Sequence, residues 1–113
     1  MERLRLTYSH YGWRARIGLL VPCGNVSMEP EFYMMAPQGV SIHSSRLLVS
    51  GPSSRESYAS MSAQVRDAAS RLKMTDPTVM VFGCTSGSFI ENEREIRRQI
   101  EDETGLPAVT TSG

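Results

Sequence analysis

The chain has 113 residues, 40% of them apolar and 21% charged, which suits one small folded domain and argues against disorder. Twelve Lys and Arg balance twelve Asp and Glu. That balance removes the basic field needed for non-specific nucleic-acid or anionic-membrane binding.

The N-terminal MERLRLTYSHYGWRAR carries charge without the apolar stretch of a secretory signal. No apolar run reaches the roughly 18–20 residues of a membrane span. A cytoplasmic protein with two reduced cysteines is therefore expected. Residues 1–15 mix Arg3, Arg5 and Arg14 with Tyr8, Tyr11 and Trp13 and show no clean period. They read as a lead-in arm, either surface-packed or docking on a partner subunit, ahead of an α/β domain over residues 16–113.

Residues 16–22, RIGLLVP, form a short apolar run closed by Pro22 and Gly24, which predicts a buried strand. Residues 27–36 predict a short helix, with Ser27 as cap and Glu29 and Glu31 where the helix dipole favours anions. Residues 39–49 predict a second strand in which Val40 and Ile42 alternate with Ser41 and His43. The clearest helix is expected over 53–73. Ser53 and Glu56 make a capping box, and Tyr58, Met61, Val65, Ala68 and Leu72 make one apolar stripe. Residues 77–83 predict a third strand started by Pro77. Residues 89–104 predict a helix capped by Ser88 and Glu91, striped by Phe89, Ile96 and Ile100, and stopped by Gly105 and Pro107. Residues 107–111 start a fourth strand. The order β-α-β-α-β-α-β, with right-handed crossovers, implies a doubly wound four-stranded parallel sheet in the order 2-1-3-4, with helices on both faces.

Ligands of such sheets bind at the C-terminal ends of the strands, where the strand order reverses. Two stretches fall there: Pro22 to Ser27 after the first strand, and Gly83-Cys84-Thr85-Ser86-Gly87-Ser88 after the third. Cys84, between a strand end and a helix start, is placed for thiolate stabilisation by the helix dipole and free N–H groups. Thr85 and Ser86 add hydroxyl donors. This set suits proton transfer beside a carboxylate, or addition of sulfur to an activated double bond. The plainer alternative is a small buried thiol beside helix-capping hydroxyls. Asn25 offers an amide to a substrate carboxylate, or makes an Asx-turn leading into the helix. Cys23 reads as a turn residue; with Cys84 it forms no C-x-x-C pair. Arg46 reads as a surface residue or a bidentate carboxylate holder, and His43 as a solvated strand residue. Scattered Cys and His disfavour a metal site, and no G-x-G-x-x-G or P-loop pattern occurs.

Four stretches, RIGLLVPCGNVSMEPEF, VSIHSSRL, VMVFGCTSGSFI and ETGLPAVTTS, resemble the maleate cis-trans isomerase and arylmalonate decarboxylase branch of the aspartate/glutamate racemase superfamily. The resemblance runs from residue 16 to 113. It implies two similar α/β lobes related by a pseudo-two-fold axis, with the active site between them and one cysteine from each lobe. Cys84 matches the first-lobe cysteine, Thr85 and Ser86 match its carboxylate-holding neighbours, and Asn25 matches the first-loop asparagine. Decarboxylase-like members carry glycine at the position of Cys84, so Cys84 points to isomerase or racemase chemistry without a cofactor. The expected ligand is a small mono- or dicarboxylate.

Family members are substantially longer, and this chain corresponds to the first lobe. A single lobe is expected to be incomplete as an enzyme and to self-associate as a homodimer, with two copies of Cys84 able to face each other. The alternatives are a decarboxylase-like enzyme and a non-catalytic carboxylate-binding or assembly module.

Overall fold

The computed structural model describes residues 11–48, 60, 63–83 and 93–111 of the chain. Its elements run β1 (Ala15–Pro22), α1 (Met28–Met35), β2 (Val40–Leu47), α2 (Val65–Lys73), β3 (Val79–Phe82), α3 (Glu93–Thr104) and β4 (Ala108–Thr110). All pairings are parallel and the strand order is β2-β1-β3-β4, as the apolar pattern predicts. Among the described residues no helix is long and apolar enough to cross a membrane.

The central strand, β1, has neighbours on both edges and helices on both faces, so its run Leu19, Leu20, Val21 is completely buried. Alternation then divides the core in two. Leu20 joins Leu47, Met80 and Phe82 beneath Val65, Ala68 and Leu72 of α2 and Ile96 and Ile100 of α3. Leu19 and Val21 join Ile42 and Val81 on the other face, where Met28 and Phe32 of α1 pack. Full burial of a side chain such as Leu20 or Phe82 is worth about 1.5–3 kcal/mol. The two faces are unequally covered, because α1 contributes no fully buried residue.

Gly105 ends α3 in the left-handed region, φ +70°, with its N–H on the Glu101 carbonyl at 2.7 Å. This is the cap that Gly105 and Pro107 predict. The second helix departs from expectation. Ala63 and Gln64 form a turn, so the continuous helix over 53–73 is interrupted there. The Gln64 side chain is engaged elsewhere: its Oε1 accepts from the Leu48 N–H and its Nε2 donates to the Leu48 carbonyl, both at 2.9 Å. The boxes Ser53/Glu56 and Ser88/Glu91 and the stripe residues Tyr58, Met61 and Phe89 lie outside the described residues, as do residues 1–10 of the arm.

The end of the arm is seated on the start of β2. Arg14 and Ala15 donate to the Gly39 carbonyl at 2.9 and 3.2 Å. The Trp13 ring lies over Gly39, whose φ is +91°; a Cβ there would stand 2.6 Å from the indole. At the N-terminal edge of the sheet Arg16 is buried. Its Nη1 donates to the Thr75 carbonyl at 3.3 Å and lies 3.8 Å from Asp76. His43 is a correction to the solvated reading. It is half-buried, its Nε2 is 2.8 Å from Ser41 Oγ, and burial followed by the Arg16 charge lowers its pKa.

Candidate active site

The C-terminal edge of the sheet is stepped. The β1–β2 ladder continues to Pro22 opposite Leu47, whereas the β1–β3 ladder stops at Leu20 opposite Phe82. Cys23 extends the first ladder by donating to the Leu47 carbonyl at 2.9 Å. Gly83 closes the second by donating to the Leu20 carbonyl at 2.7 Å. The step lies between β1 and β3, where the crossovers change direction and an open α/β sheet binds its ligands. Its floor is tight: a Cβ at Gly83 would come 2.5 Å from Met28 Sδ and 3.2 Å from the Leu20 carbonyl. The start of α1 and the residue after β3 therefore meet; the second of the two loops, from Cys84 on, lies outside the described residues.

Asn25 organises its loop from within. Its N–H donates to the Pro22 carbonyl at 3.1 Å. Its Oδ1 accepts from the N–H groups of Ser27 and Met28 at 3.1 and 2.9 Å. This is the Asx-turn alternative, and it takes over the capping expected of Ser27. Ser27 has φ −104°, ψ −29° and makes no side-chain cap bond. A backbone already turned into the helical region aims the Ser27 hydroxyl away from the orphan N–H groups. With Oδ1 occupied, Nδ2 is the end of the amide left available, and it has no partner among the described residues. Asn25 is thus oriented as a donor, the polarity a carboxylate needs.

A second network ties this loop to β2. Arg46 Nη1 donates to the carbonyls of Asn25 at 2.8 Å, Cys23 at 3.0 Å and Pro22 at 3.4 Å. Its Nη2 donates to Glu29 Oε1 in a short ion pair, and Ser44 Oγ donates to Glu29 Oε2 at 2.5 Å. The Ser44 hydrogen bond, then the Arg46 charge, hold the Glu29 carboxyl below its ordinary pKa, against partial desolvation. Arg46 is therefore neither an idle surface residue nor a free carboxylate holder. Its charge already faces Glu29, and its donors face main-chain oxygens.

Cys23 is an exposed free thiol beside this loop. Cys84, Thr85 and Ser86 lie outside the described residues. Across the same edge, buried Thr110 at the end of β4 donates to Glu93 Oε1 at 3.1 Å, and Glu93 lies 3.7 Å from Arg97. The sequence reading passed over this contact. Its one local signal is a hydroxyl residue at the last position of a predicted strand. Among the described residues no three His, Cys, Asp or Glu side chains gather as metal ligands do.

A family model described as arylmalonate decarboxylase matches residues 17–113. Among solved structures, maleate isomerase from Pseudomonas putida S16 with maleate superposes with a TM-score of 0.71 at 24% identity, over 88% of this chain and 45% of that one. Maleate cis-trans isomerase from Nocardia farcinica bound to Tris gives 0.74 at 22% identity, with the same shares. A mutant arylmalonate decarboxylase in a liganded form gives 0.70 at 28% identity, over 87% of this chain and 42% of that one. No curated protein sequence matches. The chain spans less than half the length of these structures and has the fold of one of their lobes.

Proposed function

The chain belongs to the arylmalonate decarboxylase family, and from that premise we propose that it is one lobe of a cofactor-independent isomerase-type enzyme. The substrate is a small mono- or dicarboxylate, and the reacting group is the Cys84 thiolate. The observation that carries the reading is Asn25, in the loop after β1, whose Oδ1 is occupied by the Ser27 and Met28 amides so that its Nδ2 is the end left to donate. The presence of Cys84 supports isomerase over decarboxylase chemistry. The Nocardia farcinica isomerase has been solved, as a mutant, with a covalently bound succinylcysteine intermediate.

In the proposed reaction the Cys84 sulfur adds to one alkene carbon of a maleate-like substrate. The π electrons move onto the neighbouring carbon and its carboxylate. Donors from Asn25, Thr85 and Ser86 meet the charge that develops there. The bond between the two carbons is now single and rotates. Return of the electron pair expels the thiolate and leaves the trans alkene, with no net change of atoms. Protonation of the neighbouring carbon instead gives a succinyl thioether.

Intact mass after incubation with maleate tests the reading. The chain and its Cys23→Ala variant should gain the mass of one maleate, and Cys84→Ala should not. Equal labelling of the two cysteines would sink it. A decarboxylase reading has one supporting observation, the 28% identity to arylmalonate decarboxylase; release of carbon dioxide from an arylmalonate, without maleate addition, would establish it. Binding without either reaction would mark a carboxylate-binding module. The assembly proposed is a homo-oligomer, supported by the exposed Trp13, Tyr33, Met34 and Met35 side chains. A monomer by light scattering would reject that part.

A further inference from the structure

We propose that Arg46 is the positioning residue of the Asn25 loop: its guanidinium gathers the carbonyls of Pro22, Cys23 and Asn25 and so sets the direction in which the Asn25 amide meets a carboxylate. The ligand half of this statement rests on the carboxylate reading above; the loop half does not.

Three observations carry it. The loop is curled so that three main-chain oxygens converge on the single nitrogen Nη1, at 2.8, 3.0 and 3.4 Å. Carbonyl oxygens brought together repel one another unless a cation stands between them. Arg46 is itself held at both ends. Its backbone is in the ladder opposite Val21, one residue before the loop's hinge at Pro22. Its Nη2 is anchored to Glu29, which Ser44 of the same strand also holds. The loop is thus fixed twice. Asn25 Oδ1 ties it forward to the first turn of α1, and Arg46 ties it sideways to β2. The first bond sets which end of the amide faces out, and the second sets where it stands.

A planar fork is needed for this. One nitrogen serves the carbonyls while the other, a fixed distance away, serves the carboxylate. A lysine ammonium has a single nitrogen and reaches either the carbonyls or Glu29. The pair is half exposed, and surface ion pairs of this kind contribute little to global stability. Global stability and loop geometry therefore respond differently to substitution.

The experiment compares the chain with its Arg46→Gln and Arg46→Lys variants by amide hydrogen exchange and by titration with maleate followed by NMR. In Arg46→Gln, protection of the Ser27 and Met28 amides should fall about tenfold or more, since local openings track the bonds that hold a segment. The core amides of Leu20 and Val81 should be unchanged, and maleate affinity should fall about tenfold, one lost charge-assisted hydrogen bond. Arg46→Lys should recover part of both. Unchanged exchange at Ser27 and Met28 overturns the proposal. So does lost protection with maleate affinity intact. Failure of the unsubstituted chain to bind maleate defeats the carboxylate reading instead, and Arg46 then stands or falls on the exchange at Ser27 and Met28 alone.

Discussion

Gly83 and Met28 occupy the same space to within one methyl group: a Cβ added at Gly83 would lie 2.5 Å from the Met28 sulfur. The residue that follows the third strand is thereby pressed against the first turn of α1. The site depends on this approach, because it closes the gap between β1's loop and the chain leaving β3. Gly83→Ala should cost about 1–3 kcal/mol, the range for overpacking a filled core. Part of the strain falls on a flexible thioether and part on the Leu20 carbonyl 3.2 Å away. Adding Met28→Ala should therefore relieve some of the cost but not all of it. A double-mutant cycle by urea unfolding measures the coupling, and strict additivity would show that the two residues do not collide.

Asn25→Asp separates the two functions of that side chain. A carboxylate still accepts from the Ser27 and Met28 amides, and its charge is favourable beside a helix N-terminus. Stability should hold within about 0.5 kcal/mol, whereas Asn25→Ala should lose about 1 kcal/mol. The outward donor disappears in both, and in the aspartate an anion replaces it. Maleate binding should fall in both variants and fall further in Asn25→Asp. A variant that keeps its affinity would remove Asn25 from the site.

Two groups predict acid destabilisation in separate windows. His43 is half-buried and near Arg16, so desolvation and then the Arg16 charge put its folded pKa below the ordinary 6.5. The unfolded chain takes up that proton first, and stability should decline as pH drops through 6.5. Glu29 is held below its ordinary 4.5 by Ser44 and then Arg46. Its contribution is present above 4.5 and disappears as pH falls through the lowered folded value. Urea midpoints followed from neutral to acid pH should show His43→Gln flattening the upper window alone and Glu29→Gln the lower one alone.

Arg16→Met tests the corner at the opposite edge of the sheet. It deletes a buried guanidinium that donates to the Thr75 carbonyl and faces Asp76. Loss of that bond should cost about 1–3 kcal/mol. The His43 pKa should rise, yet stay below the ordinary value, because burial is the larger cause and remains. An NMR titration in which His43 does not move would remove Arg16 as a contributor.

The buried strands, the α2 stripe and the Gly105 stop were legible because each rests on a local pattern: a continuous apolar run, a three-and-four spacing, a glycine past the last turn; the sheet order came instead from the alternation of strands and helices with right-handed crossovers. The site was legible only in part. Asn25 was readable as a turn residue or a ligand, and the bonds to Ser27 and Met28 make the turn definite. Arg46 was not readable. Its partners lie 17 to 24 positions away in sequence, and they come within reach only through the β1–β2 register. Ser27 misled because cap preference describes residue type, while capping depends on a backbone conformation that Asn25 had already set. Gln64 interrupted a well-spaced helix for a similar reason, a main-chain partner at Leu48 that no periodicity announces.

The unequal cover of the two sheet faces bears on how the molecule opens. The side beneath α2 and α3 carries the larger part of the sealed core and should resist opening up to the global limit. The side beneath α1 is closed by Met28 and Phe32, both only partly buried. Lifting α1 away exposes the smaller of the two buried clusters, Leu19, Val21, Ile42 and Val81, so the Asn25 loop is hinged to the segment that detaches at the lower cost. Any anion that draws Asn25, Ser27 and Met28 into one arrangement therefore also fastens α1 down. Ligand occupancy should accordingly appear as slowed exchange along α1, well beyond the residues that touch the ligand.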